Sequence, residues 1–356
     1  MAGVNATGTS TISDQFRTHF EKSLLERMLP ILVFADFGLK SPLPKNIGAK
    51  TMRMFRFASP TRAGVKASVQ TLSELSTYVA NYATHKQLTL EYVEVTLAQY
   101  GQSISITDLL DATSLFDMTE QANIQNAEDA ALHCDTITQE ELCRSSGTVG
   151  NVDYSTKNFL YANAATSYAT VYNSGTASDD RILKGTDILD AATALKINKA
   201  PRIDGSYVMV VPPQIARDIM RGTGTNTTWT DVNKYNDAIK IFNGEIGKLY
   251  GVRVIETTEA YISGATAPAD DPATNYNAAG NVYSCQVFGR HAYGISDLST
   301  LGSPMSPRVL LVQGPDKADP LDQIKAIISW KTYWAAKVVQ PKWLVQLFTQ
   351  TGYGVN

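Results

Sequence analysis

The chain has 356 residues, 44% of them hydrophobic and 18% charged, with a formal net charge of -3. That length supports a large buried core arranged as one big or two smaller domains. The small net charge excludes a global basic field of the kind that marks a nucleic-acid binder.

The charge is unevenly spread. Between Phe37 and Ser73 lie seven Lys or Arg and no carboxylate; between Gln87 and Cys143 lie eleven Asp or Glu and no Lys or Arg. The opening residues lack the charged and apolar regions of a signal peptide, and no apolar run is long enough to span a bilayer. Cys134, Cys143 and Cys285 show no metal-ligand spacing, and nine residues on a helix place Cys134 and Cys143 too far apart to bridge. The expectation is a protein of a cytosol-like compartment.

In chain order, residues 1–13 are small and polar. Phe16, Phe20, Leu24 and Met28 recur at helical spacing, and ILVFADFGL follows before a Pro/Gly break. Lys50 to Ala58, KTMRMFRFA, predicts a strand, and a second begins at Leu88 in LTLEYVEVTLAQYG. About 30 residues with few core side chains separate the two, which predicts a projecting arm. Asp117 then caps a long helix with Glu120 three residues on, and no glycine or proline intervenes before Gly147, the expected terminator. Ile124, Ala127, Ala131, Cys134, Ile137, Thr138 and Leu142 share one arc of it, with Gln125, Glu128, Asp129, Thr136 and Glu140 opposite. At 1.5 Å per residue this beam spans about 40 Å.

Thr148 to Asp180 reads as turns and short strands. Thr186-Asp187 caps a helix carrying Ile188, Ala191, Ala192 and Leu195. Tyr207–Val211 is a buried-type strand stopped by Pro212-Pro213, and a helix then runs to Arg221. NGEIGKLYG is expected to be a short helical segment before a strand at Val252–Glu256. Ile262–Gly280 has the composition of an exposed loop. Val282–Phe288 and Val309–Val312 are strands, and Pro341 divides Ile324–Phe348 into two more.

No catalytic constellation emerges. The histidines are scattered, His133 on the polar face of the beam, and no HExxH or GxSxG pattern occurs. Gly222-Thr-Gly224-Thr lacks the ending of a phosphate loop and reads as a polar loop. Asp316, Asp319 and Asp322 read as a turn rim, and the tryptophans as core. No cofactor, metal site or enzymatic activity is expected.

Five separated motifs carry a resemblance over nearly the whole chain. They are LAQYGQSISITD (97–108) leading into the long helix, GSYVMVVP (205–212), FNGEIGKLYGVRV (242–254), VFGRHAYGISD (287–297), and Asp319 to Trp343 with Asp319-Pro320-Leu321, Ser329-Trp330-Lys331 and Trp334-Ala335-Ala336. In this order they resemble the major capsid proteins of tailed bacteriophages, specifically the N4-type major capsid family with the HK97-like fold. The resemblance implies an α+β architecture: an N-terminal arm (1–49), an extended loop or E-loop (50–100), a peripheral domain (101–205) with a spine helix (117–146), an axial domain (206–314), and a return to the peripheral domain (315–356).

It further implies self-assembly as pentamers and hexamers into an icosahedral head, with a portal at one vertex. The expected contents are double-stranded DNA held without sequence-specific contact. Only some 40 residues precede the arm, so a separate scaffolding protein is expected, and a decoration or cement protein is a further implied partner. The location is the virion, assembled in the host cytoplasm, with no membrane. Two other readings stand beside this one: an encapsulin-like compartment shell, and a soluble α+β enzyme using the Gly222–Thr228 loop on a phosphorylated ligand. On the fold implied by the resemblance, the segregated charges place Lys50, Arg53, Arg56, Arg62 and Lys66 of one subunit against Glu120, Glu128 and Asp129 of the next.

Overall fold

A computed structural model describes residues 32–41, 51–57, 90–115, 117–162, 165–172, 181–221, 245–259, 261–264, 276–277, 281–296, 308–313 and 324–353. The expected helix at Phe16–Met28, the Gly222–Thr228 loop, the Asp316–Asp322 rim and the span between the two arm strands lie outside these residues.

The strands in order are β1 (Leu39–Ser41), β2 (Thr51–Phe57), β3 (Leu90–Thr96), β4 (Ala98–Thr107), β5 (Thr148–Val149), β6 (Val152–Asp153), β7 (Asn158–Tyr161), β8 (Tyr207–Val211), β9 (Glu245–Leu249), β10 (Val252–Glu256), β11 (Tyr261–Ser263), β12 (Val282–Phe288), β13 (Tyr293–Ser296), β14 (Arg308–Gln313), β15 (Ile324–Trp334), β16 (Ala336–Val338) and β17 (Leu344–Thr349). The helices are α1 (Asp108–Thr113), α2 (Met118–Cys143), α3 (Tyr168–Tyr172), α4 (Gly185–Ile197) and α5 (Pro213–Arg221).

A mixed sheet in the order β7-β17-β12-β8-β10-β9, with β11 added beside β12, forms one layer. Its strand β8, YVMVV, is buried on both faces, which is why five apolar residues run without alternation. Met209 and Val211 face α4 and α5, while Val208 and Val210 join the core around α2. The C-terminal segment splits between layers. β15 joins β14 and β4 in a three-stranded sheet against α2, whereas β17 lies between β12 and β7.

The long helix forms as expected, but its sides differ from the sequence reading. Asp117 caps it by accepting from the Thr119 and Glu120 backbone N–H groups at 2.9 and 3.3 Å. Its last residue is Cys143, not the residue before Gly147, because a lysine from a later segment caps the final carbonyls. Ala127, Ala131, Cys134, Thr138 and Leu142 are buried as expected, but Ile124 and Ile137 are half-buried while Asn123, Asn126, Asp135 and Gln139 are buried. The covered arc is wider than the apolar stripe because the helix packs against β4 and β15 along its length, against residues 32–36 at one side, and against β11 and β12 near its end. Cys143, on the opposite face from Cys134, is therefore buried too.

Four further readings are corrected. EIGKL is a strand, β9, not a helix; it pairs antiparallel with β10 through a two-residue turn in which Tyr250 and Gly251 have φ of 50° and 86°. That left-handed pair matches the twist of a tight hairpin, and the pairing overrides local helical preference. Helix α4 starts at Gly185, with the Asp187 carboxylate accepting from the Lys184 backbone N–H at 2.8 Å. The run after Leu88 is two strands, β3 and β4, and the segment after it forms the short helix α1. The C-terminal stretch holds three strands, since Ala335 leaves the ladder and its carbonyl accepts from the Ser296 N–H at 3.0 Å.

Candidate assembly surfaces

The arm strands β2 and β3 pair antiparallel, Thr51 opposite Thr96 through Phe57 opposite Leu90. With side chains alternating, Met52, Met54, Val93 and Val95 bury one face against the body. Met54 sits over Gly294, where a Cβ would fall 2.3 Å from its sulfur. Arg56 donates to the Val339 carbonyl and, at 2.9 Å, to Gln340 Oε1. The β2–β3 pair is therefore anchored to the body rather than free. The other face is open and mixed: Phe55 is 63% exposed, with Leu90 and Tyr92 beside it and Arg53 and Glu94 on the same side.

Two of the charged residues singled out in the sequence meet partners within this hairpin. Arg53 pairs with Glu94 at 3.0 Å and Arg56 with Glu91 at 2.7 Å. Sequence reasoning missed these pairs, although a signal existed. Both arginines and both glutamates are three residues apart, so one antiparallel register satisfies the two pairs together. On α2, Glu120 and Glu128 are exposed and Asp129 is half-buried. Lys50, Arg62 and Lys66 lie outside the described residues.

Behind the arm root, a polar cluster closes the end of α2. Lys157 is buried and donates to the Leu142 carbonyl at 2.6 Å and to the Arg144 carbonyl, capping the helix's negative end. Burial pushes its ammonium down to about 7, with Arg144 and Lys337 adding to the fall and Cys143 and Glu141 opposing it. Lys337 pairs with Glu141 at 2.9 Å, and the Tyr154 hydroxyl donates to the same carboxylate. The Tyr154 ring carries Lys157, Lys337 and Arg144 within 5.2, 5.2 and 5.6 Å of its centroid. Gly150, at φ +60°, touches the arm here: its carbonyl accepts from the Glu94 N–H at 3.0 Å.

A cleft of about 390 Å³ lies beside this cluster, lined by Glu94, Tyr100, Glu141, Gly150 and Lys337 among others. Its carboxylates and lysine are engaged in the ion pairs above, leaving no nucleophile and base in mutual reach. Among the described residues no group of three or more His, Cys, Asp or Glu is placed to hold a metal ion, and no helix is long and apolar enough to cross a membrane. His133 is exposed on α2, edge-on to Tyr100 at 4.7 Å. Trp330 and Trp334 are buried, and the Trp334 indole donates to Thr138 Oγ1 at 3.1 Å.

No protein-family profile and no curated protein matches the chain. Solved structures do. The capsid of Ralstonia phage GP4 superposes with a TM-score of 0.60 at 12% identity, covering 91% of this chain and 92% of that one. The capsid of cyanophage P-SCSP1u gives 0.56 at 13% identity, covering 90% and 89%. The acid-stable capsid of Helicobacter pylori bacteriophage KHP30 gives 0.53 at 9% identity, covering 87% of each. The chain has the α+β, HK97-like capsid fold.

Proposed function

We propose that this chain is a structural major capsid protein, not an enzyme, which assembles into the icosahedral head of a tailed phage around double-stranded DNA. The observation that carries the reading is a shared fold along about nine-tenths of both chains with phage capsids, without large unmatched segments on either side. The five sequence motifs support the finer placement in the N4-type family. The domain division (arm 1–49, extended loop 50–100, peripheral 101–205 and 315–356, axial 206–314) is part of the proposal. So are pentamers and hexamers, a portal, a scaffolding protein, a decoration protein, and assembly in the host cytoplasm.

Inter-subunit charge pairing is also proposed. With Arg53 and Arg56 already held by Glu94 and Glu91, the arm cations left to reach Glu120, Glu128 and Asp129 of the next subunit are Lys50, Arg62 and Lys66. Each exposed pair contributes about 0–1 kcal/mol, so repetition around a capsomer, rather than any single pair, carries the effect.

Expression followed by sedimentation and electron microscopy tests the reading. Closed shells are expected, and deletion of Pro60–Lys86 is expected to abolish them while leaving a folded subunit. A chain that stays monomeric at all concentrations overturns the capsid assignment. Shells that take up protein cargo and never a portal or DNA support the compartment alternative.

A further inference from the structure

Helix α1, Asp108–Thr113, buries none of its residues. Leu109 is 71% exposed, Leu110 43%, and Leu115 just beyond it 91%. Six residues make little more than one helical turn, and an isolated helix that short is not stable in water on propensity alone. Thr107 caps it, accepting from the Leu110 N–H at 3.3 Å, but a cap contributes only about 1 kcal/mol. Three exposed leucines within seven residues call for a partner surface.

A second exposed feature lies on the three-stranded sheet. The face of β15 turned away from α2 carries Ile327, Ser329, Lys331 and Tyr333, all less buried than the alternating Ala326, Ile328, Trp330, Thr332 and Trp334. On this face Arg308 of β14 stands directly opposite Lys331, and Val312 opposite Ile327, with Leu310 between them and 44% exposed. Like charges placed directly across a strand pair repel, and among the described residues neither cation has an ion-pair partner. The face thus offers two adjacent positive charges beside an apolar strip.

The two features are complementary in spacing and sign. Asp108 and Asp111 are three apart on a helix, which sets their Cβ atoms about 5–6 Å apart. Directly opposed strand residues have Cβ atoms about 4.5–5.5 Å apart. A helix carrying two carboxylates and flanking leucines therefore matches a sheet face carrying two cations and flanking aliphatics. Within one chain α1 follows the end of β4 and sits at the end of this sheet with its leucines outward.

We propose that α1 of one copy docks on the outward β14–β15 face of the next. Asp108 and Asp111 meet Arg308 and Lys331, and Leu109 and Leu115 cover Leu310 and the Val312–Ile327 pair. The contact is heterologous, one patch against a different patch, so it builds a ring when its rotation closes and cannot by itself give a two-fold dimer. The inference rests on the capsid reading and names a contact within it.

Two measurements test it on the full chain. Arg308→Glu with Lys331→Glu, and separately Asp108→Lys with Asp111→Lys, are each expected to lower the yield of shells at least ten-fold while circular dichroism shows a folded subunit. Combining all four substitutions is expected to restore it. As a check independent of folding after charge reversal, Leu109→Cys with Leu310→Cys is expected to give inter-subunit disulfide ladders in oxidised particles; the native cysteines are buried and serve as the background. Shells unaffected by either swap, a combined variant no better than the singles, or oxidised particles without ladders overturn the contact and leave the capsid reading standing. A parent chain that stays monomeric at all concentrations overturns both.

Discussion

Substituting Asp135 by asparagine should flatten the dependence of subunit stability on pH. Asp135 lies on α2, is 3% exposed, and its Oδ1 accepts from the Phe34 backbone N–H at 3.0 Å. Burial pushes its carboxyl up from 3.8 to about 7, the N–H groups of Phe34 and Val33 oppose the rise, and Glu259 and Asp36 add to it. The buried Tyr293 hydroxyl, which donates to the Phe34 carbonyl at 2.6 Å, completes the surroundings. In the unfolded chain the proton leaves near pH 4; in the folded chain it is held to about pH 7. Between those values the unfolded state binds fewer protons, so stability is greatest below pH 4 and falls as pH rises, reaching a plateau above 7. Three pH units at 1.36 kcal/mol each put the loss at about 4 kcal/mol. Asparagine keeps the acceptor for Phe34 and carries no charge. At pH 8 the variant should exceed the parent by about 1–3 kcal/mol, less than the full amount because its amide N–H groups need acceptors that the site was not built to supply. Urea unfolding of the unassembled subunit at pH 5, 6, 7 and 8, followed by tryptophan fluorescence, measures this directly. Equal slopes in the two proteins across pH 5–7 would refute the argument.

Asp117→Ala removes the cap of α2 and should cost about 1 kcal/mol in the same unfolding assay, with most of it recovered by Asp117→Ser. Gly150→Ala should be far more costly: its φ is +60° and the new Cβ would fall 2.2 Å from the Glu94 carbonyl oxygen. A loss above about 2 kcal/mol and a lowered melting temperature are expected, since the arm root and the β5–β6 turn cannot both keep their places. A short peptide tag placed near Asp270 should be displayed without loss of assembly, as the small polar composition of the 262–280 stretch beyond β11 suits an exposed insertion; consistent failure to obtain soluble subunit would show that the segment is structural.

The elements that a sequence announces are those whose cause is local. Asp117 caps a helix through N–H groups two and three residues away, and YVMVV needs only its own β-branched run. Strand β2 was legible for the same reason, with Met52 and Met54 in one alternation and Arg53 and Phe55 in the other. What stayed hidden depends on partners far along the chain. Asn126 reads as a solvated helix residue until its amide meets the Ile328 carbonyl at 3.3 Å, and Gln139 until it meets the Glu259 carbonyl at 3.0 Å. Strand β9 exists because of β10. The arm charges were visible as a segregation, but not the register that pairs Arg53 with Glu94 and Arg56 with Glu91. Lys157, the residue that ends the long helix, lies fourteen positions beyond its last residue, where no pattern marks it as a cap.

The polar residues buried along α2 explain how a helix with so little apolar surface holds one position. Alanine and cysteine contribute little burial each, and a seam of small residues fits nearly as well when shifted by one turn. Asp135, Asn126, Gln139 and Thr138 remove that freedom, because their partners are a backbone N–H at Phe34, the Ile328 carbonyl and Trp334 indole of β15, and the Glu259 carbonyl, three segments in all. A slide of about 5.4 Å breaks all four at once and takes these partners from Asp135, Asn126, Gln139 and the Trp334 indole, at about 1–3 kcal/mol for each group left buried without one. The stabilisation from each bond is modest, but the penalty for every alternative register is large. A shell built from weak, repeated contacts needs subunits that present those contacts at fixed relative positions. In α2 the rigidity comes from addressed polar bonds rather than from hydrophobic area.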